Sequence, residues 1–167
     1  MPEKQTLERA RRDKRQGKAA STQAGEFIKE EMDHIREGKH GARSAKQAIA
    51  IGLSKARRSG VELKPPSGGS HRVREKAARD YARGHGAPAK RKSTAKRARA
   101  SENALKRESR SAASHRALAK QTRSAAARRT ASSRSAAARK AVRTKGPAER
   151  SAAARKAART RQSHASA

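Results

Sequence analysis

Residues 44–60 read S-A-K-Q-A-I-A-I-G-L-S-K-A-R-R-S-G and carry the clearest helical signal in the chain. Ser44 and Gln47 stand three residues apart, the spacing at which a serine hydroxyl and a glutamine amide satisfy each other's orphan backbone amides at a helix start. Ala45, Ala48, Ile49, Gly52, Leu53 and Ala56 then fall on one face. Arg57 and Arg58 occupy the last turn, where cations oppose the helix dipole, and Gly60 suits the left-handed residue that ends a helix. Ala48 and Gly52 are small enough for a second helix to approach closely. Ile51 lies off the Ile49/Leu53 face and points to a partner.

Working outward, residues from about Gln23 to Arg36 place Ile28, Met32 and Ile35 at i, i+4 and i+7 with Phe27 beside them. This one-sided stripe predicts a second amphipathic helix, stopped at Gly38. About seven residues join the two helices, which predicts an antiparallel hairpin with Phe27, Ile28, Met32, Ile35, Ile49 and Leu53 as its core. So few large side chains leave the hairpin marginal alone, and self-association or a protein partner would stabilise it. Thr6 to Gln16 reads as a short charged helix, and Ser70 to Arg83 as another, with Val73, Ala77 and Tyr81 as a weak stripe.

Composition sets the rest. The 167 residues hold 45 Lys and Arg against 14 Asp and Glu, a formal charge of +31, with Phe27 and Tyr81 as the only aromatics. Residues 1–64 carry 16 basic and 9 acidic residues (+7), and residues 65–167 carry 29 and 5 (+24). Pro65-Pro66-Ser67-Gly68-Gly69-Ser70 marks the division. The expected fold class is all-α: a charged arm at 1–20, a hairpin at 21–64, a linker at 65–70, a short helix at 71–84, and a basic low-complexity tail at 85–167. That tail lacks side chains able to build a core, so it is expected to be largely disordered or conditionally helical.

Within the tail, residues 134–145 (RSAAARKAVRTK) repeat as 150–161 (RSAAARKAARTR). In each copy Arg139, Lys140 and Arg143, or Arg155, Lys156 and Arg159, fall on a common helical arc. Such helices repel themselves in free solution, and a phosphate backbone would neutralise that repulsion. The candidate nucleic-acid contacts are Arg128, Arg129, Arg134, Arg139, Lys140, Arg143, Lys145, Arg150, Arg155, Lys156, Arg159 and Arg161. No aromatic interleaves them, which argues against a single-strand stacking platform. A membrane surface is disfavoured, because an interfacial helix needs bulky apolar residues opposite its charges.

Catalysis is not expected. There is no cysteine, so disulfides, thiolate zinc sites and thiol nucleophiles are excluded. No Walker, dinucleotide or nucleophile-elbow pattern occurs. Glu26, Glu30, Asp33, His34 and Glu37 cluster on one helix, but no distant ligand set completes a metal site, so a solvated acidic face is the expectation. That face could instead meet Arg43, Lys46 or Arg57. No catalytic residue, cofactor, metal or small-molecule substrate is therefore expected. A helix-turn-helix is disfavoured because the connection is too long and the second helix shows Ala and Ile where base-reading residues belong. Arg43, Lys46, Lys55, Arg57 and Arg58 are still expected to reach phosphates from the hairpin rim. The N-terminus lacks an apolar leader core, so a cytoplasmic protein is expected.

Two resemblances bear on function. Residues 24–60, with Phe27-Ile28-Lys29-Glu30-Glu31-Met32, Arg36-Glu37-Gly38-Lys39 and Ser44 to Arg57, resemble a bacterial domain family of unknown function that carries EFKEGK and SRKQAIAIALSEAR stretches. Ile35 and Lys55 stand where that family commonly has an aromatic and an acid. The tail's composition resembles that of linker histones and linker-histone-like proteins of the bacterial nucleoid, although it favours Arg and Ser over Lys and Pro. Together they imply a bacterial nucleoid protein that binds DNA without sequence preference. An RNA- or ribosome-associated protein, or an interaction module with a solubilising tail, are the alternatives.

Overall fold

The computed structural model describes residues 2–87, 95–144 and 146–165, and the described residues are helical with no strand. The helices are α1 (Lys4–Arg15), α2 (Ala20–Arg36), α3 (Ala45–Arg58), α4 (His71–Gly84), α5 (Ala95–Lys106), α6 (His115–Ala127), α7 (Ala131–Thr144) and α8 (Pro147–Ala165). A 3₁₀ turn, Arg110–Ala113, lies between α5 and α6. The chain forms two compact units, residues 1–122 and 123–167.

In the first unit α2 packs against both α1 and α3, and α4 packs on α3. At its start, α3 has Ser44 Oγ accepting from the Gln47 amide at 3.2 Å, while Gln47 Oε1 accepts from the Arg43 amide at 2.9 Å. The return bond thus reaches one residue further back than in a standard capping box. Helices α2 and α3 both end in a Schellman arrangement. Gly38 (φ +79°) donates to Ile35 O and Lys39 to His34 O; Gly60 (φ +82°) donates to Arg57 O and Val61 to Ala56 O. These stops turn the chain at the residues where glycine is needed.

The α2–α3 contact is tight. A Cβ built on Gly52 would lie 2.8 Å from Ile28 Cα, so only glycine allows the helices this close. Two apolar clusters flank the contact. In one, Phe27 packs with Ala10, Ala24, Ala56 and Val61, with Leu53 at its edge. In the other, Met32 and Ile35 pack with Ala42, Ala48, Ala112 and Ala113, with Ile28, Ile49 and Leu118 at the edge. Phe27, Met32 and Ile35 are buried, whereas Ile28, Ile49, Ile51 and Leu53 are half-buried.

The second cluster draws on residues 112, 113 and 118, which composition alone places in the tail. That segment is tied down by backbone bonds: the Gly41 amide donates to Leu105 O at 2.9 Å and the Ala42 amide to Ser109 O at 3.1 Å. Arg36 Nε adds a bond to Ala113 O at 3.3 Å. Ala112 and Ala113 are both buried in this cluster beside Met32 and Ile35. In α4, Ala77 is buried but Val73 is 55% exposed. That helix is held by polar contacts instead, with Ser54 Oγ donating to Asp80 Oδ2 at 2.6 Å.

Candidate nucleic-acid interface

The second unit presents cations with almost nothing to pair them. Residues 123–167 contain thirteen Lys and Arg and one acid, Glu149, a net +12. Arg128 and Arg129 lie in the turn between α6 and α7; Arg134, Arg139, Lys140 and Arg143 lie on α7; Arg150, Arg155, Lys156, Arg159 and Arg161 lie on α8. Lys145 falls outside the described residues. Every described member of this set is exposed, and α7 has no buried residue. Arg129 bonds Ser133 through Nε and Nη2. The other described members make no side-chain hydrogen bond or ion pair among the described residues.

Helical geometry groups these charges. Arg139 and Arg143, and likewise Arg155 and Arg159, stand one turn apart, ~6 Å along the axis, with Lys140 or Lys156 ~100° round the helix. Arg134, Arg150 and Arg161 fall on the far side by the same count, so cations face outward on more than one side. Val142, 50% exposed, is the one large apolar residue of α7 and has no cluster to join. Helix α7 is 14 residues long and α8 is 19. Helices near ~12–15 residues are marginal in water even when alanine-rich.

The rim of the first unit behaves differently from the phosphate-contact expectation. Lys55 is turned inward, with Nζ 3.2 Å from Glu30 Oε1 and 2.7 Å from Glu31 Oε2. Arg57 is buried, donates from Nε to Leu63 O at 3.1 Å, and has its pKa lowered by that burial against the opposing pull of Asp80. Arg58 is exposed with its Nε 3.8 Å from Asp80 Oδ1, and Arg43 and Lys46 are exposed as well. The acidic face of α2 is likewise not uniformly solvated: Glu30 and Glu31 are 3% and 1% exposed. The sequence does not mark Lys55 as their partner, because a lysine near the end of α3 reads as rim charge. The spacing Glu31–Lys55 becomes meaningful only once Gly52 brings α3 onto Ile28.

A smaller polar cluster ties α4 to the segment after α3. Tyr81 OH donates to Glu62 Oε2 at 2.6 Å, and His85 Nε2 lies 2.9 Å from Glu62 Oε1. The Tyr81 and His85 rings stack with centroids 4.0 Å apart. The Tyr81 carbonyl and the Glu62 carboxylate raise the His85 pKa, and the Tyr81 hydroxyl followed by His85 lowers that of Glu62.

No helix among the described residues is long and apolar enough to cross a membrane. Comparison with protein-family models, with curated proteins and with solved structures gave no match to the chain.

Proposed function

We propose that the protein is a nonenzymatic nucleic-acid-binding protein, which contacts duplex phosphates without sequence preference through α7 and α8 while residues 1–122 supply a folded anchor. The observation that carries this reading is the set of exposed, unpaired Arg and Lys side chains on two alanine-rich helices with no buried residue among those described. A helix that gains nothing by packing and repels itself is stabilised by a polyanion, so binding and helix formation are coupled. Duplex is favoured over single strands, since residues 123–167 contain no aromatic side chain on which a base can stack. The linker-histone-like composition favours DNA in a bacterial nucleoid over RNA, and the resemblance of residues 24–60 to the bacterial domain family agrees with that setting.

The test is fluorescence anisotropy of the full chain with duplex DNA, single-stranded DNA and structured RNA across salt. With ~6–10 phosphates engaged, affinity falls by ~10³–10⁵ between about 50 and 200 mM salt. A flat salt response overturns the reading. Preference for structured RNA moves the protein to the RNA-associated class, and no preference for any polyanion leaves the first unit as a protein-interaction module.

A further inference from the structure

The buried acidic pair on α2 is short of positive charge. The Glu30 and Glu31 side chains are each 1% exposed, and among the described residues Lys55 is the single ammonium serving both. Glu30 also accepts the Glu3 amide, Oε2 to N 3.1 Å. Glu31 is worse placed. Lys55 neutralises its Oε2 but does not sit in line for a hydrogen bond, so this buried oxygen has no donor among the described residues. A buried carboxylate in that state is costly unless a further cation approaches it.

Two imidazoles surround the position where such a cation would sit. His40 Nε2 is 3.1 Å from Glu31 Oε1, and His40 Nδ1 is 3.0 Å from the Gly41 carbonyl oxygen. Both ring nitrogens therefore face acceptors, and one neutral imidazole has a proton for only one of them. With that proton on Nδ1, held by the carbonyl, Nε2 directs a lone pair toward Glu31, as in histidines whose second nitrogen is fixed by a backbone oxygen. The His34 ring stands edge-on to His40 with centroids 6.1 Å apart, and Glu3 Oε1 lies 2.8 Å from its Nε2. One ligand atom each from Glu31, His34 and His40 lies within 4.8 Å of the other two.

We infer that Glu31, His34 and His40 form a site for one divalent transition-metal ion of the zinc class, which clamps the α2–α3 connection onto the end of α2. Metal–ligand distances of ~2.0–2.1 Å place tetrahedral neighbours about 3.3 Å apart, close to the His40–Glu31 separation, and small side-chain rotations bring in His34. Two imidazoles and one carboxylate select zinc, cobalt, nickel or copper over calcium and magnesium, which require oxygen ligands. The His34 and His40 side chains are 14% and 15% exposed, so the ion has a route in and water completes its coordination. Lys55 stays on Glu31 Oε2 while Oε1 faces the metal. The sequence did not reveal the set, because Glu31 and His34 are helix neighbours and His40 joins them only after the Gly38 turn reverses the chain.

This inference is independent of nucleic-acid binding and is tested without any polyanion. The metal-stripped full chain is titrated with zinc chloride by calorimetry and with cobalt chloride by visible absorption, which reports tetrahedral coordination directly. One ion per chain is expected, with a rise in thermal midpoint. Glu31→Gln, close to isosteric, and His40→Asn, on the connecting loop, should each weaken binding by at least ~10-fold. His71→Ala, remote in sequence and exposed, should leave affinity unchanged. Far-UV circular dichroism checks that each variant stays helical. Unchanged affinity in folded His40→Asn, or zinc binding by the parent chain no tighter than by a His34→Asn/His40→Asn double variant, overturns the site.

Discussion

Residues 1–122 and 123–167 spend the same kinds of cation in opposite ways. In the first unit Lys55 and Arg57 are drawn into the interior, against Glu30, Glu31 and the Leu63 carbonyl. In the second, Arg139, Lys140, Arg143, Arg155, Lys156 and Arg159 stand in solvent. The side chains are equivalent; their surroundings are not. Thirteen of the 14 acidic residues, and both aromatics, lie in the first unit. A basic residue becomes structural where an acid and a bulky apolar neighbour can enclose it, and otherwise stays available to an external polyanion.

The contrast breaks first, and most severely, at the charges of the second unit. Changing Arg139, Lys140, Arg143, Arg155, Lys156 and Arg159 together to Gln should keep helix propensity while flattening the salt dependence of duplex binding by about 5 in log–log slope. An unaltered slope in anisotropy titrations would place the binding elsewhere. Phe27→Ala comes next. Phe27 is fully buried, and its loss should cost ~3–5 kcal/mol in denaturant melts, whereas Val142→Ala on α7 should be near neutral. Lys55→Met removes the shared ammonium and should destabilise by about 3–5 kcal/mol, the range for stranding a buried charge. An unchanged melting curve would show that the acidic pair is balanced without it. Gly52→Ala forces a Cβ against the α2 backbone, and overpacking of that kind costs ~1–3 kcal/mol.

The smallest effect is a pH step at α4. The pKa of His85 is raised above its ordinary 6.5, so its contribution to docking is complete below about that pH and is lost as pH rises through the raised value. Glu62 is lowered from 4.5, so its share is present above about that pH and lost as pH falls through the lowered value. Hydrogen exchange of the α4 amides should therefore be slowest between about pH 4.5 and 6.5 after correction for intrinsic rates. His85→Gln should remove the upper step.

Much of the first unit was legible in its sequence because local signals agreed. The stripe of Phe27, Ile28, Met32 and Ile35, the Ser44/Gln47 start and the Gly38 and Gly60 stops act within a few residues of one another. The helix expected from about Gln23 begins three residues earlier, at Ala20, since Ala20-Ser21-Thr22 has no breaker to prevent it. What stayed hidden depends on long-range closeness. Ala112 and Ala113 look like tail residues, and nothing in their composition announces that they complete the packing around Ile35. Glu31 belongs neither to the apolar stripe nor to the acidic cluster read from the sequence, because its pairing with Lys55 and nearness to His40 require the folded positions of α3 and the loop. In the second unit the repeat is plain in the sequence and its described cations are exposed, but the helices α7 and α8 stand where a tail without core-building side chains reads as largely disordered or conditionally helical.

The backbone bonds from Gly41 and Ala42 to residues 105 and 109 also set an order of events. They join parts of the chain more than sixty residues apart, whereas α2 and α3 meet across a short turn. Closing the longer loop costs more entropy, so the α2–α3 pair should assemble first and the 105–113 segment should latch on last. The same latch should be among the first contacts to open in the native state, making the Gly41 and Ala42 amides early reporters of partial unfolding. The first unit thus has a built-in seam, where the 105–113 segment can open while the core around Phe27 remains intact.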